Sequence, residues 1–256
     1  MILWVDGAHD PRENMRRDER LLAAAEGGAL AGPVLRLFTF APAGITLGRA
    51  QDPARVLDLE RCARDRVPWA VRPTGGRAIL HDREWTYSFT APLSHPDAAG
   101  SIAASYARLS SLIVRSLERL GVPAALAPGA RAPRAGAGGS QAPCFASTAR
   151  HEIVLGGRKL VGSAQRRGAR ALLQQGSVLL GPGHERLADY LALGSDGRAR
   201  ARAALLEAAA DAGAWLGADL ALARWAEALL EVLEPGARVV AGDAGLDLAA
   251  GAAVSG

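Results

Sequence analysis

Two residues of this chain have side chains that could do chemistry together, Cys144 and Lys159, fifteen positions apart. Of the 30 basic residues, Lys159 is the one lysine. An ammonium group is compact and can lose its proton when desolvated, whereas arginine stays charged. A nearby cation favours the nucleophilic thiolate of a cysteine, and a lysine beside a carbonyl can stabilise the charge that develops in acyl transfer. The spacing therefore suggests a Cys–Lys pair; a chance lysine and an inert buried thiol are the alternatives.

A second chemical candidate is the segment "RPTGGRAILH". Its adjacent glycines, Gly75 and Gly76, would let backbone N–H groups approach a ligand closely, although paired glycines are also common in simple turns. The segment lacks the strand-to-helix context and the further glycines of nucleotide-binding loops. His81, His95 and His151 are possible bases, but their spacing does not distinguish one of them.

The segment "KLVGSAQ" places small residues in the middle of the strand that carries Lys159. Strand alternation predicts one face with Lys159, Val161, Ser163 and Gln165 and another with Leu160, Gly162 and Ala164. Small residues in mid-strand leave a groove or mark a bulge. This strand is therefore a second candidate wall of a binding cleft.

The elements that must position these residues follow from hydrophobic spacing. "ILWV" predicts a strand, and a helix follows with Asp10 as its N-cap, Pro11 in its first turn and Gly27–Gly28 at its end. "PVLRLFTFAP" predicts a strand, and "DPARVLDLERCARDRV" predicts one helix. The runs on either side of Gly75–Gly76, the second of which includes "EWTYSFT", predict a hairpin or a tight strand–turn–strand with one apolar face.

In the second half, "SIAASYARLSSLIVRSLERLGV" has the apolar spacing of a long amphipathic helix. Residues 127–143 consist almost entirely of Ala, Gly, Pro, Arg and Ser, which predicts a loop. "HEIVLGGRKLVGSAQRR" predicts a hairpin with its turn at Gly156–Gly157, and "RALLQQGSVLL" predicts a third strand. Helices are expected as far as Glu234.

Interleaved strands and helices, with hairpins that imply antiparallel neighbours, predict an α/β (α+β) fold with a mixed, largely antiparallel sheet flanked by helices. No composition change marks an internal domain boundary. We expect one catalytic domain over residues 1–235 and an Ala/Gly-rich C-terminal tail over residues 236–256 that could fray.

Composition limits the function classes. A chain of 256 residues with 49% hydrophobic and 22% charged residues is typical of a globular protein. It has no apolar run near the roughly 20 residues of a membrane span, and its start lacks a basic leader region, so a cytoplasmic location is expected. Two cysteines are too few for a disulfide framework or a metal site. The net charge of +4 favours an acidic protein partner, while 5% aromatic residues and scattered arginines argue against nucleic acid.

Three segments in this order, "RPTGGRAILHD", "CFASTARHEIVLGGRKLVGSAQRR" and "LLQQGSVLL", resemble the biotin/lipoate protein ligase superfamily. "NMRRDERLL" and "SIAASYARL" look like that family's helices, and the likeness covers roughly residues 1–200. The glycine–arginine repeat of the biotin ligases is absent, which favours the lipoate side. The "CF" ahead of the lysine strand resembles the octanoyltransferase branch, which takes an octanoyl group from acyl carrier protein.

The resemblance implies a residue assignment. Cys144 would be the acyl-thioester nucleophile, and Lys159 would favour its thiolate and position the acyl carbonyl. The matching motif positions would line the acyl pocket: Arg72, Gly75, Gly76 and His81 on one wall, and Gly162, Ser163 and Ala164 on the second. Two positions depart from the family pattern: Arg77 replaces a third glycine and Gln175 replaces a histidine, which affects the expected loop shape and acyl preference.

The predicted function is therefore protein lipoylation: octanoyl transfer from acyl carrier protein to a lysine of a lipoyl domain, through a cysteine thioester and without metal or other cofactor. An ATP-dependent lipoate–protein ligase is the alternative enzyme. A non-catalytic protein that binds acyl carrier protein or lipoyl domains is the alternative of another class. Membrane and nucleic-acid partners are not expected.

Overall fold

The structure is a computed structural model that describes residues 1–30, 32–127 and 152–250. Its strands are β1 Ile2–His9, β2 Val34–Phe40, β3 Gly44–Leu47, β4 Trp69–Val71, β5 Ile79–His81, β6 Glu84–Pro92, β7 Ala125–Leu126, β8 Ile153–Leu155, β9 Arg158–Arg167, β10 Ala171–Leu179 and β11 Arg238–Ala241. Its α-helices are α1 Pro11–Gly27, α2 Pro53–Val56, α3 Leu59–Arg64, α4 Ile102–Arg119, α5 Leu187–Tyr190, α6 Ser195–Ala208, α7 Gly213–Leu216 and α8 Leu222–Val232. Within the described residues, 3₁₀ segments cover His184–Arg186 and Gly242–Ala250.

Within these residues the strands form two sheets. The large sheet has eight strands in the order β11-β1-β2-β6-β10-β9-β8-β7, and the small sheet has three in the order β4-β3-β5. In the large sheet, β1 pairs in parallel with β2 and β11, and the other neighbours are antiparallel. The predicted mixed, largely antiparallel sheet flanked by helices is confirmed.

Strand β6 shows how the large sheet divides its two faces. Trp85, Tyr87 and Phe89 belong to the main hydrophobic cluster with residues of α4 and α8, and the Trp85 ring stacks on Trp225 with centroids 5.3 Å apart. The alternate residues Glu84, Thr86, Ser88 and Thr90 are also buried, on the opposite face. The sheet therefore has an apolar face toward α4 and α8 and a buried polar face.

Helix α1 packs against the large sheet with polar residues as well as apolar ones. The Asp10 side chain accepts hydrogen bonds from the backbone N–H groups of Arg12 and Glu13, and Gly28 ends the helix with φ 78°, so the predicted cap and stop are confirmed. Asn14, Arg17 and Asp18 are buried although a helix normally exposes such residues. Helix α1 therefore supplies charged side chains to the interior.

The segment around Gly75–Gly76 differs from the prediction of a hairpin. Strands β4 and β5, on either side of it, both pair with β3, the first in parallel and the second antiparallel. Strand β6, which contains "EWTYSFT", pairs with β2 and β10 in the other sheet. The hairpin prediction was wrong because the four-residue strand β3, too short to stand out by alternation, lies between the two flanking strands.

The predicted single helix at residues 52–67 is two short helices, α2 and α3. Leu57 ends the first in an extended conformation, and the Asp58 side chain accepts a hydrogen bond from the Arg61 N–H to begin the second. The break lets the backbone of Leu57 pair with Leu191. The hairpin at Gly156–Gly157 and the strand β10 beside it were predicted correctly, and both glycines have positive φ.

The predicted boundary at residue 235 does not separate a tail from the domain. Strand β11 pairs in parallel with β1, and the Trp4 Nε1–H donates to the Gly242 carbonyl at 2.7 Å. Asp243 accepts from Arg17 at 2.8 Å, and Gly245 lies so close to Trp4 that a Cβ there would be 2.0 Å from the indole. Residues 238–250 thus complete the sheet edge; residues 251–256 lie outside the described part.

Among the helices of the described residues, the longest apolar stretches fall short of what a bilayer-spanning helix requires.

Candidate active site

A narrow cleft lies between the polar face of the large sheet and the small sheet, with α1 at its side. Apolar side chains and polar groups both line it: Met15, Phe38, Phe40, Thr46, Arg72, Ile79, His81, Thr86, Gly162, Ser163, Ala164, Gln175, Gly176 and Ser177. Its volume is about 20 Å³, which is room for about one water molecule.

The segment of residues 72–77, which we name the glycine turn, contributes Arg72 to the cleft lining. Arg72 donates from Nε and Nη2 to the Gly75 carbonyl at 3.0 and 2.6 Å, and from Nη2 to the Arg77 carbonyl at 2.8 Å. Gly76 has φ 91°, and a Cβ built on Gly48 would lie 2.0 Å from the Gly76 carbonyl oxygen. Glycine is required at both positions, by backbone conformation at one and by close approach at the other.

His81 is fixed in the cleft wall by three neighbours. Its Nδ1 lies 2.5 Å from Glu84 Oε1, its Nε2 lies 2.7 Å from Thr46 Oγ1, and its ring stacks on Phe40 with centroids 3.9 Å apart. The same Glu84 oxygen accepts from Ser177 Oγ at 2.9 Å. Because both ring nitrogens contact protein groups, this geometry suits a shaping role better than proton transfer to a substrate.

A chain of buried hydrogen bonds connects the glycine turn to α1. The Thr74 hydroxyl donates to Gln175 Oε1 at 2.6 Å, and Gln175 Nε2 donates to Asp18 Oδ2 at 2.6 Å. Asp18 Oδ1 in turn accepts from Arg36 at 2.7 Å and from Ser88 at 2.6 Å. Gln175, which replaces the family's histidine, is therefore bonded on both sides.

The second wall consists of the small residues of β9. Gly162, Ser163 and Ala164 pair with Ser177, Gly176 and Gln175 of β10, in that order. The Ser163 hydroxyl lies 2.9 Å from the Tyr87 Oη. Burial raises the pKa of the Tyr87 phenol, so it remains a neutral hydrogen-bonding group under physiological conditions.

Lys159 is buried near the start of β9. Its Nζ lies 2.5 Å from Glu152 Oε1, and the two side chains are only 2% and 8% exposed. The register between β8 and β9 shifts by one residue between the pairs Val154–Lys159 and Ile153–Val161. Leu160 joins the same hydrophobic cluster as Val161, so the simple alternation predicted for this strand does not extend through Leu160.

The structure brings most of the predicted pocket residues together. Arg72, His81, Gly162, Ser163 and Ala164 line one cleft, and the Gly75–Gly76 backbone lies beside it, bonded to or packed against Arg72. Lys159 is outside that lining, three residues along β9 from Gly162, which corresponds to about 10 Å between Cα atoms. Cys144 lies outside the described residues. The substrate-binding and catalytic roles themselves stay predictions.

Sequence reasoning missed several residues of this site, although some left a signal. Glu152 lies against Lys159 because the two-residue turn at Gly156–Gly157 folds β8 onto β9. Since this hairpin was predicted, the sequence could also have predicted that the two charges lie close together. The alternation of polar residues with the aromatics of β6 indicated the face on which Glu84 lies, but the burial of that face is seen only in the structure. Thr46, in contrast, lies in the short strand β3 and gave no recognisable pattern.

The whole fold is similar to that of a solved structure. A crystal structure of lipoate-protein ligase A bound with ATP matches 97% of this chain and 92% of its own with a TM-score of 0.70. At 19% identity this likeness shows a shared fold. Residues 10–234 match the family model of the lipoyl protein ligase A/B catalytic domain, and the chain belongs to this family.

Two relatives are more similar in sequence. The octanoyltransferase LipM of Kyrpidia tusciae is 39% identical over 220 residues, which cover 85% of this chain and 80% of the relative. The octanoyltransferase LipM of Moorella thermoacetica is 40% identical over 174 residues, which cover 68% of this chain and 63% of the relative.

Proposed function

We propose that this protein is an acyltransferase of protein lipoylation that moves an octanoyl group from acyl carrier protein to a lysine of a lipoyl domain, through a thioester on Cys144. The names of the similar octanoyltransferases support the transfer of an octanoyl group. The mechanism depends on one observation, the buried Lys159. It lies on β9, the strand whose small residues line the cleft, and its ammonium group contacts the Glu152 carboxylate.

The first step is attack of the Cys144 thiolate on the thioester carbonyl of the octanoyl donor. A carbon–sulfur bond forms to Cys144 and the bond to the carrier thiol breaks, so the carrier leaves as a thiolate that takes up a proton. Negative charge develops on the carbonyl oxygen during this step, and the Lys159 ammonium stabilises it.

In the second step, the neutral amine of the acceptor lysine attacks the enzyme thioester. An amide bond forms, the Cys144 thiolate is released, and the amine gives up one proton. The acyl carbon keeps its oxidation state and each step exchanges one acyl bond for another, so the cycle needs no nucleotide.

Intact-mass measurement after mixing the protein with octanoyl-acyl carrier protein tests this proposal. We expect one octanoyl adduct on the wild type, none on Cys144→Ala, and loss of most transfer in Lys159→Arg because guanidinium is larger and forked. An adduct that survives Cys144→Ala would refute the thioester. If Cys144→Ala keeps activity with free lipoate, ATP and magnesium, the protein is an ATP-dependent lipoate ligase instead. If the protein binds acyl carrier protein or lipoyl domains without turnover, it is the non-catalytic binding protein.

A further inference from the structure

The glycine turn is attached to the large sheet through a side chain of its own. Arg72 bonds the turn to itself and to β3, since its guanidinium donates to the carbonyls of Gly75, Arg77 and Thr46. Thr74, which is fully buried, reaches in the other direction and donates to Gln175 of β10. The Thr74–Gln175 hydrogen bond therefore helps to fix the position of the turn relative to the large sheet.

Gln175 suits this contact because a primary amide offers one acceptor and one donor group. Its oxygen accepts from the Thr74 hydroxyl, and its nitrogen donates to Asp18, an acceptor that Arg36 holds in an ion pair. A carboxylate at residue 175 would place a second negative charge beside Asp18, and an apolar side chain would leave Thr74 and Asp18 without these bonds.

The location of the turn matters for the width of the cleft. A Cβ at Gly76 would lie 3.8 Å from the Ala164 Cβ, so the turn and the β9 wall face each other almost in contact. Gln175 pairs with Ala164 in the sheet, which ties the anchor of the turn to the opposite wall. A small displacement of the turn would change the space between the walls.

We propose that Gln175 is a positioning residue that sets the width of the acyl cleft: oriented by Asp18, it holds Thr74 and hence the glycine turn at a fixed distance from Ala164. The identity of the bound group as an acyl chain rests on the proposed function. The effect falls on donor binding, because neither Gln175 nor Thr74 contributes to the bonds that form and break.

Single-turnover acylation, measured against octanoyl-acyl carrier protein concentration, tests this role. Thr74→Val removes the hydroxyl at nearly constant shape, and Gln175→Met removes both amide bonds. We expect each to raise the half-saturating donor concentration about tenfold, the size of one lost buried hydrogen bond, with the maximum rate changed less than about threefold. Because the two side chains act in series, the double variant is no worse than Gln175→Met, and Thr74→Ser restores the wild-type value.

Ser88→Ala is the matched control. Ser88 is fully buried and donates to the same Asp18 carboxylate at 2.6 Å, but it is on β6 and outside the cleft lining. It loses a comparable bond to Asp18, so a purely structural effect would appear here too. We expect its half-saturation to equal that of the wild type; a rise equal to that of Thr74→Val, or additive effects of Thr74→Val and Gln175→Met, would overturn the proposal.

Hydrogen exchange tests the anchoring of the glycine turn by Gln175 without reference to catalysis. The Arg49 N–H donates to the Thr74 carbonyl at 2.9 Å, so its protection reports the stability of the turn. We expect faster exchange of the Arg49-containing peptide in Thr74→Val and Gln175→Met, and unchanged exchange in Ser88→Ala. Unchanged exchange in all three variants would refute the anchoring role. If the variants show the expected exchange but the wild type forms no octanoyl adduct, only the proposed function is refuted.

Discussion

Replacement of Glu152 by glutamine removes the charge opposite Lys159 while keeping the shape of the side chain. The carboxylate and ammonium are 2.5 Å apart with side chains 8% and 2% exposed, so water screens the pair poorly. Removal of one partner of a buried pair costs about 3–5 kcal/mol because the other charge stays buried and loses its ion-pair partner. A surface pair would cost only about 0–1 kcal/mol. The expected loss is therefore several times that of an exposed ion pair.

Thermal and urea unfolding can measure this loss. An unfolding entropy of about 2.1 cal/mol/K per residue gives roughly 0.5 kcal/mol/K for 256 residues, so the Tm should fall by about 6–9 °C. Lys159→Met should cost a similar amount. The double variant Glu152→Gln with Lys159→Met buries no charge and should lose at least about 2 kcal/mol less than the sum of the losses in Glu152→Gln and Lys159→Met.

The same variants separate stability from catalysis. Glu152→Gln should slow acylation at temperatures where the protein is fully folded, because the ammonium loses the contact that orients it. A loss of stability below about 1 kcal/mol, as for an exposed pair, would refute the reasoning from burial. An unchanged acylation rate in folded Glu152→Gln would refute the orienting role of the carboxylate.

Three other predictions follow from the site and its surroundings. Burial raises the pKa of the Cys62 thiol, so iodoacetamide at pH 7.5, about one unit below the pKa of a free thiol, should label Cys144 first. Intact-mass measurement should then show the native Cys144→Ala variant to be almost unmodified. A hydrogen bond from the Arg16 side chain holds the pKa of Glu13 at about 2, below the usual 4.5. Glu13→Gln should therefore have a lower free energy of unfolding in urea than the wild type at pH 6, and this difference should vanish as the pH falls from about 4.5 toward 2. Gly48→Ala would place a Cβ 2.0 Å from the Gly76 carbonyl oxygen of the glycine turn, so it should lower both the Tm and the acylation rate. Gly75→Ala should be tolerated, because the added Cβ meets no described atom within 4 Å.

Elements with local signals were predictable from the sequence. The Asp10 cap with Pro11 fixed the start of α1, and the paired glycines at 156–157 fixed the β8–β9 hairpin, because caps and tight turns depend on neighbouring residues. Strand β3 and the pairing of β11 with β1 were not predictable in this way. Both depend on partners far along the chain, and a short strand carries too few residues for alternation to show.

The same distinction applies to the site. Arg72, His81 and the small residues of β9 could be named because they lie in contiguous motifs. Asp18 could not, since a charged residue on a helix is normally a surface residue, and only the fold shows it buried against Arg36 and Gln175. Residues that support a site from distant elements leave little pattern in their own neighbourhood.

The two faces of β6 explain why such support is needed here. Its aromatic residues stabilise the domain by packing against α4 and α8, so that face is closed to ligands. The opposite face borders the cleft and also keeps Glu84 and Thr86 buried, and each buried polar group costs free energy unless it is bonded. Glu84 Oε1 accepts from Thr86 and from Ser177 of β10 and lies against His81 of β5, so these bonds connect β5, β6 and β10 at the cleft. The hydrogen bonds that offset the burial of Glu84 and Thr86 are thus the same ones that connect the strands around the cleft.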